Sequence, residues 1–190
     1  MRQQLSPLAM AILGLLVERA MHPYEMYQLL VQRHEDRILK VRPGTLYHAM
    51  GRLAAAELVE TVGTDRDGNR PERTTYAILA AGREQLTIEL CQLLSQPVKE
   101  YPRFPQALSE AHNLPAASAI ELLGQRTVAL EEEVATLESQ TSVARAREVP
   151  EQYWINVDYQ QHQLRSELDW IHKLRANIRN GSLPWGIGTK

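Results

Sequence analysis

The chain has 190 residues, 44% hydrophobic and 23% charged, with a net charge of −2. That is the make-up of one globular domain or two small ones, and it excludes a disordered chain. It also excludes a protein that coats nucleic acid through bulk charge, although a local basic surface would still serve a sequence-specific binder. No apolar run approaches the ~18 residues that span a bilayer.

Cys91 is the one cysteine, so no intrachain disulfide can form, in keeping with a reducing compartment. Leu90, Leu93 and Leu94 around it predict a buried small hydrophobe rather than a reactive thiol. The first twenty residues carry one Arg and then an apolar stretch, as a signal peptide does. Glu18 and Arg19 interrupt that stretch and no small-x-small cleavage site follows. It is expected to be the first helix of a cytoplasmic protein.

Leu5, Leu8, Ile12, Leu15 and Leu16 recur at helical steps, with Ser6 as N-cap and Pro7 at the first helical position. The first helix is expected over about 6–18. Ala20–Pro23 breaks it, and a second helix follows from about Pro23 to Arg33. Residues 34–42 read as a charged connector with room for one short strand.

The stretch Val41–Val59 (VRPGTLYHAMGRLAAAELV) opens a third helix at Pro43. Leu46, Met50, Leu53 and Leu58 form its apolar side. The other side shows Thr45, Tyr47, His48, Gly51 and Arg52, short-chained and hydrogen-bonding with a single cation. Such a face suits a groove of base edges and phosphates. Alone, it reads first as the solvated side of an ordinary core helix, and the flanking segments reverse that order.

The period then changes. Leu58–Val62 and Thr74–Ile78 alternate, as half-buried strands do. Between them Gly63–Arg73 is rich in turn formers and carries Arg66, Arg70 and Arg73. Asp65, Asp67 and Glu72 bring that tip close to neutrality. Three helices followed by such a hairpin make a winged helix-turn-helix.

Helical spacing returns over Gly82–Gln96. Pro97, Pro102 and Pro105 then mark a stiff linker with little helix. Phe104–His112 is a short apolar segment. Pro115 opens a long helix whose seam is Leu123, Thr127, Leu130, Val134, Leu137, Thr141 and Ala144. Pro150 marks a turn, and a second long helix runs over about Glu151–Asn180 along Val157, Leu164, Leu168, Ile171, Leu174 and Ile178. Two such helices joined by a short turn pack antiparallel and leave apolar surface for a second copy of the chain. The tail SLPWGIGTK is expected to be loose.

The expected fold is therefore mostly α with a small β-hairpin wing: an N-terminal winged helix-turn-helix and a C-terminal antiparallel pair of long helices. The expected boundaries are 1–96 for the first domain, 97–105 for the linker and 106–190 for the helical dimerisation domain.

Four segments together resemble the PadR family of bacterial transcriptional regulators. They are LSPLAMAILGLL at Leu5–Leu16, MHPYEMYQLL at Met21–Leu30, PGTLYHAMGRLAAAELVE at Pro43–Glu60 and RTTYAILAAGR at Arg73–Arg83. Two positions depart from the family pattern. Pro23 stands where Gly is usual, harmlessly at a helix start. Leu79 stands where a capping Thr is usual, so that cap must come from elsewhere or the helix must start later. The resemblance implies a homodimeric repressor that binds a double-stranded, inverted-repeat operator, with dimer contacts from the C-terminal helices. Carried over by position, it implies DNA contacts by Tyr24, Thr45, Tyr47, His48, Arg52, Arg66, Arg70 and Arg73. Tyr24 and Tyr47 could instead be half-buried with their hydroxyls satisfied inside the domain.

Some relatives bind phenolic acids or flat cationic drugs. Tyr153, Trp154, Tyr159 and Trp170 on the last helix are the residues here that could line an effector pocket or pack a dimer core. No cofactor, metal site or membrane contact is expected, and His48 has no second ligand at metal spacing on its face. No nucleophile elbow, phosphate loop or His/Cys cluster points to an enzyme. Asp158 and His162, and Asp169 and His172, are spaced as surface salt links. The competing reading is an adaptor that dimerises through its helices and uses the winged helix for protein contacts.

Overall fold

A computed structural model of the chain describes residues 4–65 and 73–186. They form seven α-helices and a two-stranded antiparallel sheet, divided into two compact units, Met1–Lys99 and Glu100–Lys190. No helix among the described residues is long and apolar enough to cross a membrane.

In the first unit α1 (Pro7–Glu18) starts as the Ser6-Pro7 pair dictates. The Ser6 hydroxyl accepts the Ala9 N–H at 3.2 Å, and Pro7 occupies a position that needs no donor. α2 (Pro23–Gln32) also opens on a proline, here fully buried. His22 caps it through Nδ1, which accepts the Tyr24 N–H at 3.1 Å. α3 spans Pro43–Ala55. Ile12, Leu13 and Leu16 of α1 meet Met26 and Leu30 of α2 and Leu46, Met50 and Leu53 of α3 in one buried cluster.

β1 (Val59–Asp65) and β2 (Arg73–Ile78) pair from Val59↔Ile78 to Asp65↔Arg73, with Val62 as the extra residue of a bulge. The connector adds no strand; Glu35–Arg37 is a single 3₁₀ turn. The third strand position is taken by Met21, which bridges Tyr76 through N–H···O contacts of 3.0 and 3.2 Å. The backbone between α1 and α2 thus ties the hairpin to the helices.

α4 (Ala80–Ser95) starts two residues earlier than its spacing predicts and has no side-chain cap at Leu79. Instead the Leu79 N–H donates to the Leu58 carbonyl at 3.0 Å. Gly82 lies against that same carbonyl, where a Cβ would stand 2.2 Å from the oxygen. α4 turns Leu86 and Glu89 inward rather than its leucine-rich C-terminal side. Glu89 is 3% exposed and accepts the Leu5 N–H at 3.3 Å. Cys91 is therefore exposed, contrary to expectation, as is Leu94 at 86%.

In the second unit α5 (Arg103–Glu110) begins inside the proline-rich stretch. Pro105 is its third residue, where the N–H has no intrahelical partner to lose. α6 (Ala116–Ala146) and α7 (Ile155–Arg179) form the long hairpin. Leu123, Thr127, Val134, Leu137 and Thr141 of the seam are buried, opposite Gln161, Leu168, Ile171 and Ile178. Within this seam the Gln161 amide donates to the Thr141 hydroxyl at 3.3 Å. The tail is anchored rather than loose as far as it is described. Trp185 donates its indole N–H to the Leu114 carbonyl at 3.0 Å and packs on the Leu123–Ile171–Ile178 cluster.

Candidate nucleic-acid interface

α3 is a rigid platform with one free side. Leu46, Ala49, Met50 and Leu53 are buried, while Gly44, Thr45, Tyr47, His48, Gly51 and Arg52 are exposed. Pro43 sets the first turn, and the Thr45 hydroxyl closes it. That hydroxyl donates to the Arg42 carbonyl at 2.8 Å and accepts the Arg42 N–H at 3.2 Å. Thr45 thus holds the helix start and keeps only acceptor capacity for an outside partner. Lys40, just before the helix, and His48 and Arg52 on it are exposed and make no side-chain hydrogen bond or ion pair among the described residues.

Tyr47 and Tyr24 are about half exposed, at 49% and 51%. The two lie at the same end of the helix-turn-helix. Tyr47 meets the His22 ring edge-on at a centroid distance of 6.3 Å, and His22 caps the turn on which Tyr24 sits. Tyr24 also stacks at a tilt on Tyr27, 6.4 Å away. Both rings therefore have one wall of protein, with the rest in solvent. Nothing in the sequence marks His22 as a cap, since histidine is rare in that role. In the sequence Lys40 reads as part of the charged connector.

Other cations of this unit are used internally. Arg33 holds Glu18 with one contact at 2.8 Å, and Arg19 pairs with Glu25. These hydrogen bonds hold both carboxyls below the usual carboxylate range. The contrast with Lys40 and Arg52 separates cations that fasten helices from cations that face outward.

Of the wing residues, Arg66 and Arg70 lie outside the described residues. Arg73 opens β2, with its side chain likewise outside the description.

The aromatics of the helical unit do not form one group. Trp154 is buried in its own chain, donating to the Val149 carbonyl at 3.1 Å beneath the Arg145 guanidinium. Tyr153 is exposed on the preceding turn. Tyr159 and Trp170 share the outer side of α7. The Tyr159 hydroxyl accepts from Gln163 at 2.8 Å, and Trp170 borders a shallow groove with His162, Gln163, Ser166 and Glu167. His162 faces Asp158 at 3.6 Å, and His172 approaches Glu131 at 4.0 Å rather than Asp169.

Comparison with known proteins follows the same division. Residues 12–88 match the model of the transcriptional regulator PadR-like family. Among curated proteins, none matches the chain in sequence. In solved structures the chain is similar to Bacillus subtilis PadR in complex with operator DNA, at 16% identity and a TM-score of 0.77, over 93% of this chain and 99% of that one. It is similar to the same regulator in complex with p-coumaric acid, at 15% identity and a TM-score of 0.74, over 92% and 98%. A PadR-like regulator from Bacillus cereus matches at 14% identity and a TM-score of 0.64, over 92% and 99%. At these identities the structural likeness speaks for the fold, which is a winged helix followed by long helices. Residues 12–88, which carry α2, α3, the hairpin and most of α1 and α4, are the part of the chain that is similar to the transcriptional regulator PadR-like family.

Proposed function

We propose that this chain is a homodimeric repressor that binds operator DNA through α3 and the hairpin wing. The observation that carries the reading is the outer side of α3. It is backed by buried Leu46, Met50 and Leu53 and presents Tyr47, His48 and Arg52 to the outside. Arg or His can reach base-edge acceptors from a helix in the major groove. Tyr24 and Lys40 would take phosphates at the groove edge, and Arg66, Arg70 and Arg73 would hold the backbone or minor groove beyond. An overall charge of −2 fits this reading, because the outward cations are local.

The first domain would end at residue 96, and the C-terminal helices would supply the dimer contact. Tyr159 and Trp170 are exposed on one side of α7, which supports a covered surface there. Two copies then demand an inverted repeat, with half-site centres about 10 bp or a small multiple apart. A small aromatic acid is the effector to try first, since the related Bacillus subtilis regulator has been captured with p-coumaric acid. It would relieve repression only by favouring one arrangement of the dimer over another. No enzymatic activity and a cytoplasmic location complete the proposal.

The test is fluorescence anisotropy with the DNA upstream of this protein's own gene, against a scrambled duplex of equal length, at two salt concentrations. Tight, salt-dependent preference for the upstream DNA is expected. Equal weak binding to both, with no sequence enriched from random DNA, would refute the reading.

A further inference from the structure

Glycine is among the residues a helix interior disfavours most, because it loses the most backbone freedom on folding. Two helical glycines of this chain have a reason inside the fold. Gly82 makes room for the Leu58 carbonyl, and at Gly124 a Cβ would meet the Arg175 guanidinium at 2.7 Å. Gly51 has none. It lies in the middle of α3, away from both caps, and a Cβ there meets nothing within 4 Å. Its φ is not positive either, so no special backbone conformation calls for glycine.

Its place on the helix is specific. With about 100° per residue, Gly51 stands opposite Leu53, which is buried, and so lies near the crest of the exposed side. Tyr47 and His48 flank it one turn earlier, and Arg52 follows. All three can form hydrogen bonds and none is aliphatic, unlike the apolar centre of a protein interface.

We infer that Gly51 is the point at which the α3 backbone approaches DNA most closely, and that its missing side chain sets the depth from which Tyr47, His48 and Arg52 reach the bases. The inference rests on the DNA-binding reading above. It predicts opposite signs for two quantities that a merely structural residue would move together.

The experiment uses the full chain with Gly51→Ala and Gly51→Leu, and a duplex enriched from random DNA by the wild-type protein. Both residues favour helix more than glycine does, so each free variant should melt a few degrees higher, by roughly 2–6 °C. Affinity for the enriched duplex should fall about tenfold for Ala and further for Leu, as a displaced helix loses base contacts. Affinity for a scrambled duplex should change less than about twofold, since that binding is electrostatic. Unchanged or tighter binding of the enriched duplex by either variant would overturn the inference. A fall in melting temperature would also overturn it, by showing that the fold itself needs the open position. If the wild type enriches no sequence, the DNA-binding reading fails first, and the inference with it.

Discussion

Gly82→Ala is the sharpest probe of how the wing is attached. An added methyl would stand 2.2 Å from the Leu58 carbonyl oxygen and 2.9 Å from Ile78 Cγ1. The first distance is more than about 1 Å short of ordinary contact. The obstacle is backbone, so no rotamer change relieves it. α4 must draw back from the hairpin, which stretches the 3.0 Å hydrogen bond from the Leu79 N–H to that carbonyl. It must also loosen the seats of Leu86 and Glu89. Overpacking costs about 1–3 kcal/mol, and the weakened hydrogen bond adds about 1 kcal/mol. Alanine's helix preference returns at most about 1 kcal/mol. The net loss is about 1–3 kcal/mol, which for a unit of this size lowers the melting temperature by roughly 5–20 °C. Differential scanning calorimetry of the full chain reads this directly. Gly63→Ala in the same hairpin, where a Cβ meets nothing within 4 Å, is the control and should change little. A Gly82→Ala melting temperature within about 2 °C of wild type would refute the close approach of α4 to the hairpin.

Three further changes test other parts of the fold. Glu57→Gly should stabilise the protein by about 1 kcal/mol in chemical denaturation, because Glu57 holds φ +55° at the end of α3 and a left-handed L-residue costs about 1–2 kcal/mol, less the entropy glycine adds to the unfolded chain. Glu35→Gln should stabilise at pH 7 with a gain that grows as pH rises above 4.5. Burial first, and then the nearby Glu18 charge, raise the Glu35 carboxyl above that ordinary value, while Arg33 opposes them. Its folded form therefore binds the proton more tightly, and stability is lost as pH climbs through the folded pKa; a flat difference between variant and wild type from pH 4 to 8 would contradict this. Arg126→Lys should cost about 1 kcal/mol, since the guanidinium lies 3.6 Å over the Phe104 ring while its Nε–H donates to Glu167 at 2.6 Å, and an ammonium cannot do both. An unchanged thermal midpoint would show that neither contact matters.

The elements that could be read in the sequence are those whose own residues decide them. Ser6-Pro7 starts α1 and Pro43 starts α3 through local backbone chemistry. The 3.6-residue spacing of Leu46, Met50 and Leu53 says which side is buried, and so which side is the candidate interface. The switch to alternation at Leu58 and Thr74 marks the strands. The misreadings all involve a choice made by distant residues. Leu90, Leu93 and Leu94 outweigh Glu89 on any hydropathy count, yet Glu89 faces in because the Leu5 N–H needs an acceptor there. The connector's apolar residues suggested a strand, but Tyr76 pairs with Met21 across more than fifty residues of chain. Trp185 reads as part of a loose tail, yet the Leu114 carbonyl supplies a partner that anchors it. At the candidate site the side chains were legible by periodicity, whereas the His22 cap and its contact with Tyr47 needed α2 and α3 in place.

The placement of glycine in this chain runs against helix thermodynamics in two directions. α2, α3 and α6 end on residues in the left-handed region, where glycine would be comfortable, yet these are His34, Glu57 and Glu148. After α3 the termination is a full Schellman pattern, with Glu57 N–H to the Ala54 carbonyl and Leu58 N–H to the Leu53 carbonyl, each 3.0 Å. After α6 the same pattern recurs through Glu148 and Val149. The backbone hydrogen bonds are strong enough to hold a strained residue, so glycine's absence there is tolerated. Gly51 is the reverse case, a glycine in a helix interior where nothing in the fold requires one. A disfavoured residue at a position with open space is not explained by stability. Gly14 in α1 shares that open space but is half-buried, whereas at exposed Gly51 the proposed DNA contact supplies a demand that acts when something outside the chain lies against that side of α3. Glu57→Gly and Gly51→Ala should therefore both stabilise the free protein, and only the second should weaken its grip on DNA.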